Sequence, residues 1–212
     1  MTLVIFKILI PCYNEVENLK DTIIGWREFY PHAEIVICDN NSTDDSYNIA
    51  KEYADKVITE TTQGKGAAVK KLLQEDFDCA ILIDADNEVL PTKDFFPLPT
   101  NTDLVIGYRT NYKNHWLNHI GNNISNIIFK ILYRYKPQDI LCGYRSFTKE
   151  FSDSLILSNG FEIEIEMLAQ AVKQKRRISW IPVYYQPSGT SKMNRLKDGY
   201  KLFKVLFKER FK

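Results

Sequence analysis

The chain has 212 residues, which is enough for one well-buried domain and too few for two. Apolar residues make up 44% of it and charged residues 26%, as in ordinary soluble globular proteins. The formal net charge of +1 gives no general attraction to nucleic acid, so we expect no nucleic-acid partner. The four cysteines lie far apart, fit no zinc-binding spacing and indicate buried thiols in a reducing compartment. No apolar run is long enough to cross a bilayer, so we expect a cytoplasmic protein that is at most peripheral on a membrane.

Strand-like and helix-like segments alternate through the first half of the chain. Short apolar runs predict strands at residues 3–10, 34–38, 57–59, 79–84 and 103–108. Helical patterns lie between the first four at residues 19–30, 44–53 and 66–75, and Ser42 or Thr43 is expected to cap the second of these helices. This alternation predicts a parallel sheet with right-handed crossover connections.

The second half is predicted to be mainly helical. Helical patterns cover residues 115–135, 149–157 and 163–175, and a late strand covers residues 178–184. Neither an internal repeat nor a low-complexity linker divides the chain. We therefore predict one α/β domain over residues 1–192, followed by a C-terminal helix over residues 193–212.

The most informative segment is the apolar strand at residues 79–84 with the carboxylates at its end. Asp84 and Asp86 are two residues apart, and Glu88 follows two residues later. Because open α/β sheets bind ligands at the carboxyl ends of their strands, these side chains are well placed for a site. Hard carboxylate oxygens suit Mg²⁺ or Mn²⁺ bound together with substrate phosphates. An acidic turn without a metal is the alternative at this point.

Five further segments follow predicted strands or begin helices, at residues 11–15, 39–44, 64–66, 139–145 and 189–192. The first two offer groups that could hold a base or ribose, or could simply start and cap helices. In the third, a helix N-terminus and Lys65 suit a phosphate. In the fourth, Arg145 near a glycine turn could clamp a phosphate or be an ordinary surface arginine. The fifth places hydroxyls and Lys192 on a glycine turn, which suits a pyrophosphate.

The order and spacing of these segments, together with residues 107–109 and 160–166, resemble family 2 glycosyltransferases of the GT-A fold. More narrowly, they are similar to the dolichyl-phosphate mannose synthase-like and bacterial polyprenyl-phosphate glycosyltransferase branch. The resemblance runs from about residue 3 to residue 199. It implies a Rossmann-like nucleotide-binding sheet flanked by helices. It also implies metal-dependent, inverting sugar transfer from a UDP- or GDP-sugar to a polyprenyl phosphate. A glycan hydroxyl as acceptor, a non-catalytic nucleotide-sugar-binding role and a homo-oligomer stay open.

The resemblance and the motif positions assign roles to single residues. The residues expected to contact the donor nucleotide sugar are Pro11, Tyr13, Glu15, Asp39, Lys65, Asp84 and Ala85. Those expected to hold Mg²⁺ or Mn²⁺ are Asp84, Asp86 and Glu88. Those expected to face acceptor or donor phosphates are Arg109, His119, Arg145 and Ser191. The expected catalytic residues are Asp86, Asp139, Arg145 and Lys192.

The acceptor decides whether a base is needed. A polyprenyl phosphate is already an oxyanion, whereas a sugar hydroxyl needs a carboxylate base, for which Asp139 and Glu164 are the candidates. Relatives often carry arginine at the position of Gln186 and near Asn118 and His119. These departures bear on the acceptor more than on the donor.

The C-terminal segment is apolar on one face and basic on the other. Its apolar residues recur at helical spacing and include Leu196, Tyr200, Phe203, Phe207 and Phe211. A basic amphipathic helix with bulky aromatics is typical of a peripheral membrane anchor at the lipid interface. Packing on its own domain or on a second copy is the alternative.

Overall fold

A computed structural model describes residues 4–91, 101–110, 116–187 and 204–211, apart from the side chains of residues 116–120. The described strands are β1 (Phe6–Cys12), β2 (Glu34–Asp39), β3 (Lys56–Thr59), β4 (Cys79–Leu82), β5 (Val89–Leu90), β6 (Leu104–Arg109), β7 (Arg145–Thr148) and β8 (Ile178–Tyr185). The described helices are α1 (Leu19–Phe29), α2 (Ser46–Tyr53), α3 (Lys65–Leu72), α4 (Trp116–Tyr133), α5 (Lys149–Asp153), α6 (Ile163–Lys173) and α7 (204–211).

Within the described residues the strands form one mixed sheet in the order β3-β2-β1-β4-β7-β6-β8-β5. The strands β1 to β4 run parallel, with β2 and β3 on one side of β1 and β4 on the other. The direction of winding therefore reverses between β1 and β4. In open α/β sheets such a switch point leaves a crevice at the carboxyl ends of the strands, where ligands bind.

Alternating strand residues feed two cores on opposite faces of the sheet. One core contains Ile8 and Ile10 of β1 with Trp26 of α1. The other contains Leu9 of β1 with Phe129 of α4, alongside residues of α3, α5 and α6. The helices therefore cover both faces, and the runs of consecutive apolar residues in β1, β2 and β4 follow from burial on both sides.

The predicted α/β class and every predicted helix and strand that falls on described residues are confirmed, with shifts of a few residues at their ends. Two strands were missed, because β5 has only two residues and the four residues of β7 include a single apolar side chain, Phe147, and so form no apolar run. The parallel sheet predicted from the first half is confirmed for β1 to β4, whereas β7, which was not predicted, runs antiparallel to both β4 and β6. The expected cap of α2 was also wrong. The helix begins at Ser46 after Asp45, so Ser42 and Thr43 lie too far upstream to cap it.

All four cysteines are free and buried, as predicted. Burial raises the pKa of the Cys12 and Cys38 thiols to about 12, so these side chains are inert packing residues. In the part of the chain that the structure describes, no helix combines the length and the apolar character needed to cross a membrane.

Candidate functional site

The candidate site lies where β1, β2 and β4 end. Pro11 pairs with Cys38 across β1 and β2, and Leu9 pairs with Leu82 across β1 and β4, so the three strands end side by side. Tyr13 follows β1 with its ring exposed. The sheet thus brings the predicted segments 11–15, 39–44 and 84–88 to one edge, next to the switch point.

Hydrogen bonds join the loops after β1 and β2. Asn14 adopts a left-handed backbone with φ of 53°, and its Oδ1 accepts from the Thr43 backbone N–H at 2.8 Å. The Asn14 N–H donates to Ser42 Oγ at 3.1 Å, and the Glu15 N–H donates to Ser46 Oγ at 2.8 Å. The polar residues after β2 therefore position the loop that carries Tyr13 and Glu15, which is a different task from the predicted cap.

Asp39 is the last residue of β2 and is only 5% exposed. Its Oδ2 accepts from the Ser42 N–H at 3.2 Å, while its buried Oδ1 has no hydrogen-bond partner among the described residues. Next to it, the Asn40 amide donates to the carbonyls of Glu60 and Thr62 at 2.8 Å and holds the loop after β3 in place. A buried carboxylate oxygen without a partner is costly, so Asp39 Oδ1 is a group that a ligand would satisfy.

The acidic segment after β4 is fixed by its backbone. Thr22 Oγ1 of α1 donates to the Ala85 carbonyl at 3.1 Å, and the Glu88 N–H donates to Asp86 Oδ1 at 3.1 Å. Burial and the nearby charges of Asp84 and Glu88 raise the pKa of Asp86 to about 7. Asp86 is buried and close to two other carboxylates, so a cation bound there would stabilise its ionised form.

Lys65 at the start of α3 contacts two carboxylates. Its ammonium lies 2.5 Å from Asp84 Oδ1 and 2.5 Å from Glu164 Oε1. Burial opposes its charge, but the two carboxylates outweigh burial and raise its pKa. Gly143 packs so closely on Asp84 that an added Cβ would overlap Oδ2. In this structure Lys65 is thus bound to carboxylates instead of presenting a free charge for phosphate.

The glycines beside Lys65 serve packing. An added Cβ at Gly64, whose φ is 137°, would overlap the Asn159 carbonyl oxygen, and one at Gly66 would overlap that of Ser158. The Gly66 N–H donates to the Gly160 carbonyl at 2.8 Å. The close backbone approach that the sequence suggested is therefore to residues 158–160.

Arg109 and Asp139 form a bidentate ion pair. The guanidinium Nε and Nη2 lie 2.7 Å and 2.8 Å from the two carboxylate oxygens, and the Arg109 N–H also donates to Asp139 at 3.1 Å. The guanidinium stacks on the Tyr185 ring at 5.2 Å, and the Tyr185 hydroxyl donates to Glu88 Oε2 at 2.7 Å. These four side chains link the 139–145 loop, β6 and β8 to the acidic segment.

Arg145, predicted to clamp a phosphate, lies inside the protein and is 1% exposed. Its guanidinium donates to the carbonyls of Cys142 at 2.5 Å, Tyr144 at 2.8 Å and Ile140 at 3.0 Å. Burial lowers its pKa, and Nε is without a partner among the described atoms. The sequence could not distinguish this position from a surface arginine, because β7 was not recognised and its burial was therefore hidden. Arg145 holds the loop from a buried position that pairs with Leu82, where β4 ends.

The charges of this region do not balance. Its described carboxylates belong to Asp84, Asp86, Glu88, Asp139 and Glu164, and its described cations are Lys65, Arg109 and Arg145. Carboxylates therefore outnumber cations among these side chains, which favours a bound cation.

The donor set also decides which cation would fit. Carboxylate oxygens suit Mg²⁺ or Mn²⁺, so Asp84 and Asp86 fit such an ion. Among the described residues, no three His, Cys, Asp or Glu side chains are grouped so as to hold a metal. The predicted trio with Glu88 is therefore not assembled. An ion held by the two aspartates would take its remaining ligands from substrate phosphates and water.

Three predicted residues cannot be placed. Ser191 and Lys192 lie outside the described residues, and His119 lies near the start of α4 in the stretch whose side chains are not described.

Three residues that build the site were missed by sequence reasoning, namely Thr22, Asn40 and Tyr185. Asn40 stood inside a segment that was singled out, but the other two sit in ordinary helix and strand patterns that give no signal.

Comparisons with known proteins agree with this architecture. The family model described as Glycosyl transferase family 2 matches residues 7–148. Glycosyltransferase AglJ of Haloferax volcanii is 31% identical to the chain over 214 residues, covering 95% of this chain and 70% of that protein. Undecaprenyl-phosphate mannosyltransferase of Micrococcus luteus is 24% identical, covering 88% and 86% of the two chains.

A crystal structure of glucosyl-3-phosphoglycerate synthase from Mycobacterium tuberculosis, in complex with Mn²⁺ and UDP-glucose, shares the fold. Its TM-score is 0.79 at 17% identity, over 98% of this chain and 79% of that one. This likeness confirms the predicted GT-A fold, while the family model and the 31% identity to AglJ establish the family. The chain therefore belongs to glycosyl transferase family 2 and is a nucleotide-sugar glycosyltransferase.

Proposed function

We propose that this enzyme transfers a sugar from a UDP- or GDP-sugar to a polyprenyl phosphate, with Mg²⁺ or Mn²⁺ held by Asp84 and Asp86. The observation that carries the donor assignment is the buried, unpartnered Asp39 Oδ1 at the same sheet edge as the excess negative charge around Asp86. A lone carboxylate oxygen suits a ribose hydroxyl or a base N–H. The excess negative charge suits a metal that arrives with a diphosphate. The Mn²⁺ and UDP-glucose of the mycobacterial structure support the same donor chemistry.

In this proposal the first half of the chain binds and orients the donor. Tyr13 offers its exposed ring to the base, Pro11 and Glu15 flank it, and Asp39 accepts a hydrogen bond from the nucleoside. The Ala85 backbone keeps Asp84 and Asp86 at the diphosphate. When bound, the divalent cation neutralises charge on the leaving nucleoside diphosphate. Attack from the opposite side of the sugar inverts its anomeric centre.

The state of the two candidate bases favours a phosphate acceptor. Asp139 accepts hydrogen bonds from Nε and Nη2 of Arg109, and Glu164 forms an ion pair with Lys65. A carboxylate whose oxygens already accept hydrogen bonds from a cation is poorly placed to accept the proton of an acceptor hydroxyl. An acceptor hydroxyl would need such a base, whereas a phosphate oxyanion is already nucleophilic. The glycan acceptor is therefore the less supported alternative.

Further support for the lipid acceptor comes from the undecaprenyl-phosphate mannosyltransferase among the relatives. We assign the acceptor phosphate to His119, Ser191 and Lys192, the phosphate-binding candidates that the structure leaves undescribed. Arg145 acts from behind the site, as a positioning residue for the 139–145 loop. The free, buried cysteines agree with a location on the cytoplasmic face of a membrane.

An extraction assay tests the acceptor. The protein, Mn²⁺ and radiolabelled UDP- or GDP-sugars are incubated with undecaprenyl or dolichyl phosphate, or with a soluble glycan. The proposal predicts that label becomes extractable into organic solvent only with the lipid phosphate, and that Asp84→Asn abolishes this transfer. Asp153→Asn changes an exposed carboxylate remote from the acidic segment and serves as the matched control. Label that enters only the glycan would contradict the lipid acceptor.

A further inference from the structure

Helix α4 exposes an apolar stripe. Ile124, Ile127 and Ile131 are spaced three and four residues apart and therefore lie on one face of the helix. Their exposed fractions are 52%, 58% and 72%, while Phe129 on the other face is fully buried in the core. Three neighbouring exposed isoleucines on one helix form a patch and not a scatter of single residues.

Helix α7, like α4, has one buried face and one face that exposes apolar side chains. Leu206 is fully buried in the core and Glu209 is 2% exposed, whereas Phe207 is 41% and Phe211 80% exposed. The Gln170 amide donates to the Glu209 carboxylate at 3.5 Å. The described part of the C-terminal helix therefore packs on its own domain through one face and leaves two phenylalanines, whose rings stack at 6.5 Å, on the other.

The two helices adjoin, and α4 also reaches the candidate site. The Tyr133 hydroxyl, at the end of α4, donates to the Leu206 carbonyl of α7 at 2.9 Å. Asn126 Oδ1 of α4 accepts from the Ile140 N–H at 3.2 Å, next to Asp139. A surface formed by the outer faces of α4 and α7 therefore lies beside the loop that borders the site.

The charges of this surface have one sign. The exposed charged residues of α4, α7 and the turn after α4 are Lys130, Arg134, Lys136, Lys204, Lys208 and Arg210. Residues 116–138 contain no Asp or Glu, and the one acid of the described α7, Glu209, is turned inward. A second copy of the chain placed symmetrically here would bring like charges together, which is unfavourable. Apolar side chains surrounded by cations complement an anionic lipid surface.

We propose that the outer faces of α4 and α7, led by Ile127, Ile131, Phe207 and Phe211, form one surface that binds an anionic bilayer. This inference rests on the proposed lipid-phosphate acceptor and extends membrane contact from the C-terminal helix to α4. Lipid binding through α4 places the 138–140 segment, and with it the Asp139–Arg109 pair, near the headgroup layer where an acceptor phosphate lies.

Vesicle sedimentation tests this surface. The whole protein is mixed with vesicles of phosphatidylglycerol and phosphatidylcholine, or of phosphatidylcholine alone. We expect binding to the anionic vesicles that weakens as salt is added, because cations contribute to it. The double substitution Ile127→Ser and Ile131→Ser should weaken vesicle binding at least about tenfold, since two side chains lose their burial in the bilayer. The matched control, Ile24→Ser with Phe29→Ser, removes exposed apolar side chains from α1 on the opposite side of the sheet and should bind normally.

Several outcomes would overturn the inference. They are wild-type protein that stays in the supernatant with anionic vesicles, a double variant that binds like wild type, and a dimer that the double variant turns into a monomer. Should the double variant misfold, Phe211→Ser gives an independent result, because this side chain is 80% exposed. Mn²⁺-dependent binding of UDP- or GDP-sugars is measured in parallel. If it persists while vesicle binding fails, only the surface is refuted, whereas its absence from wild-type protein counts against the proposed function.

Discussion

The ends of β1, β2 and β4 and the loop over residues 139–145 supply the polar side chains of the candidate site, yet the two regions differ in how those side chains are bonded. At the strand ends, Asp39 keeps an oxygen without a partner among the described residues, and Asp86 has a raised pKa. In the loop, both carboxylate oxygens of Asp139 accept hydrogen bonds from Arg109, and the Arg145 guanidinium donates to three backbone carbonyls. The first region keeps polar groups that a ligand would satisfy, whereas the polar groups of the second are bonded within the protein.

The difference follows from the topology of the sheet. Parallel strands ending at a switch point leave side chains at their carboxyl ends facing an open crevice. The 139–145 loop instead leads into β7, a short antiparallel strand in the middle of the sheet, so its side chains turn inward. Identical residue types thus take different tasks according to the strand that carries them. Five substitutions or measurements probe this contrast, from the largest expected effect to the smallest.

Asp86→Ala should have the largest effect. It removes one of two carboxylates proposed to hold the divalent cation, so we expect kcat/KM for sugar transfer to fall at least about a thousandfold. Steady-state assays with Mn²⁺ and a sugar nucleotide measure this. Asp45→Ala, which changes an exposed acid before α2, should retain full activity. An Asp86→Ala enzyme with more than a tenth of wild-type activity would remove Asp86 from the metal site.

Arg145→Met should act on stability. It removes the buried guanidinium that donates to the carbonyls of Ile140, Cys142 and Tyr144, so the free energy of unfolding should fall by about 3 kcal/mol. Urea unfolding followed by circular dichroism measures it. Arg176→Met, at a surface ion pair with Glu150, should cost less than about 1 kcal/mol. Unchanged stability in Arg145→Met would instead favour an arginine kept for phosphate binding.

The affinity for Mn²⁺ should depend on pH through Asp86. Its pKa of about 7 means that a proton occupies the carboxylate below neutrality and competes with the metal. Affinity should therefore rise about tenfold per pH unit below about pH 7 and level off above it. Calorimetric titrations between about pH 5.5 and about pH 8.5 would show this slope. A flat profile in the wild-type protein would contradict the raised pKa of Asp86.

The same shift has a consequence for the metal-free protein. Because the folded state holds the Asp86 proton more tightly than the unfolded state does, the folded state binds more protons between the ordinary carboxylate range and about pH 7. The contribution of Asp86 to stability therefore falls as the pH rises through that window, and bound Mn²⁺ should reverse the trend. Thermal unfolding with and without Mn²⁺ across this range follows the sign.

Tyr185→Phe should have the smallest effect. It removes the hydroxyl that donates to Glu88 but keeps the ring under Arg109, so the free energy of unfolding should fall by about 1 kcal/mol. Tyr184→Phe, at an exposed neighbour in β8, is the matched control and should change nothing measurable. A loss as large as that of Arg145→Met would mean that Tyr185 has a wider role than linking the acidic segment to β8.

The sequence was sufficient for features that depend on local pattern. Consecutive apolar residues predicted the parallel strands, and the carboxylates after β4 were located because they follow such a run directly. Partnerships between distant residues could not be predicted. Lys65 meets Glu164 across 99 residues, and Tyr185 meets Glu88 across 97, in a fold that also contains two strands, β5 and β7, whose sequences carry no recognisable strand pattern. Burial of Arg145 was missed for the same reason, since it depends on β7.

A thermal-shift measurement on the wild-type protein tests the central claim most directly. The protein is heated with UDP-glucose, UDP-N-acetylglucosamine or GDP-mannose, each with and without Mn²⁺. We predict that at least one sugar nucleotide raises the melting temperature when Mn²⁺ is present and has little effect without it, since a ligand that binds only the folded state stabilises it by mass action. Equal shifts with and without Mn²⁺, or no shift with any nucleotide, would contradict a metal-dependent donor site at Asp84 and Asp86.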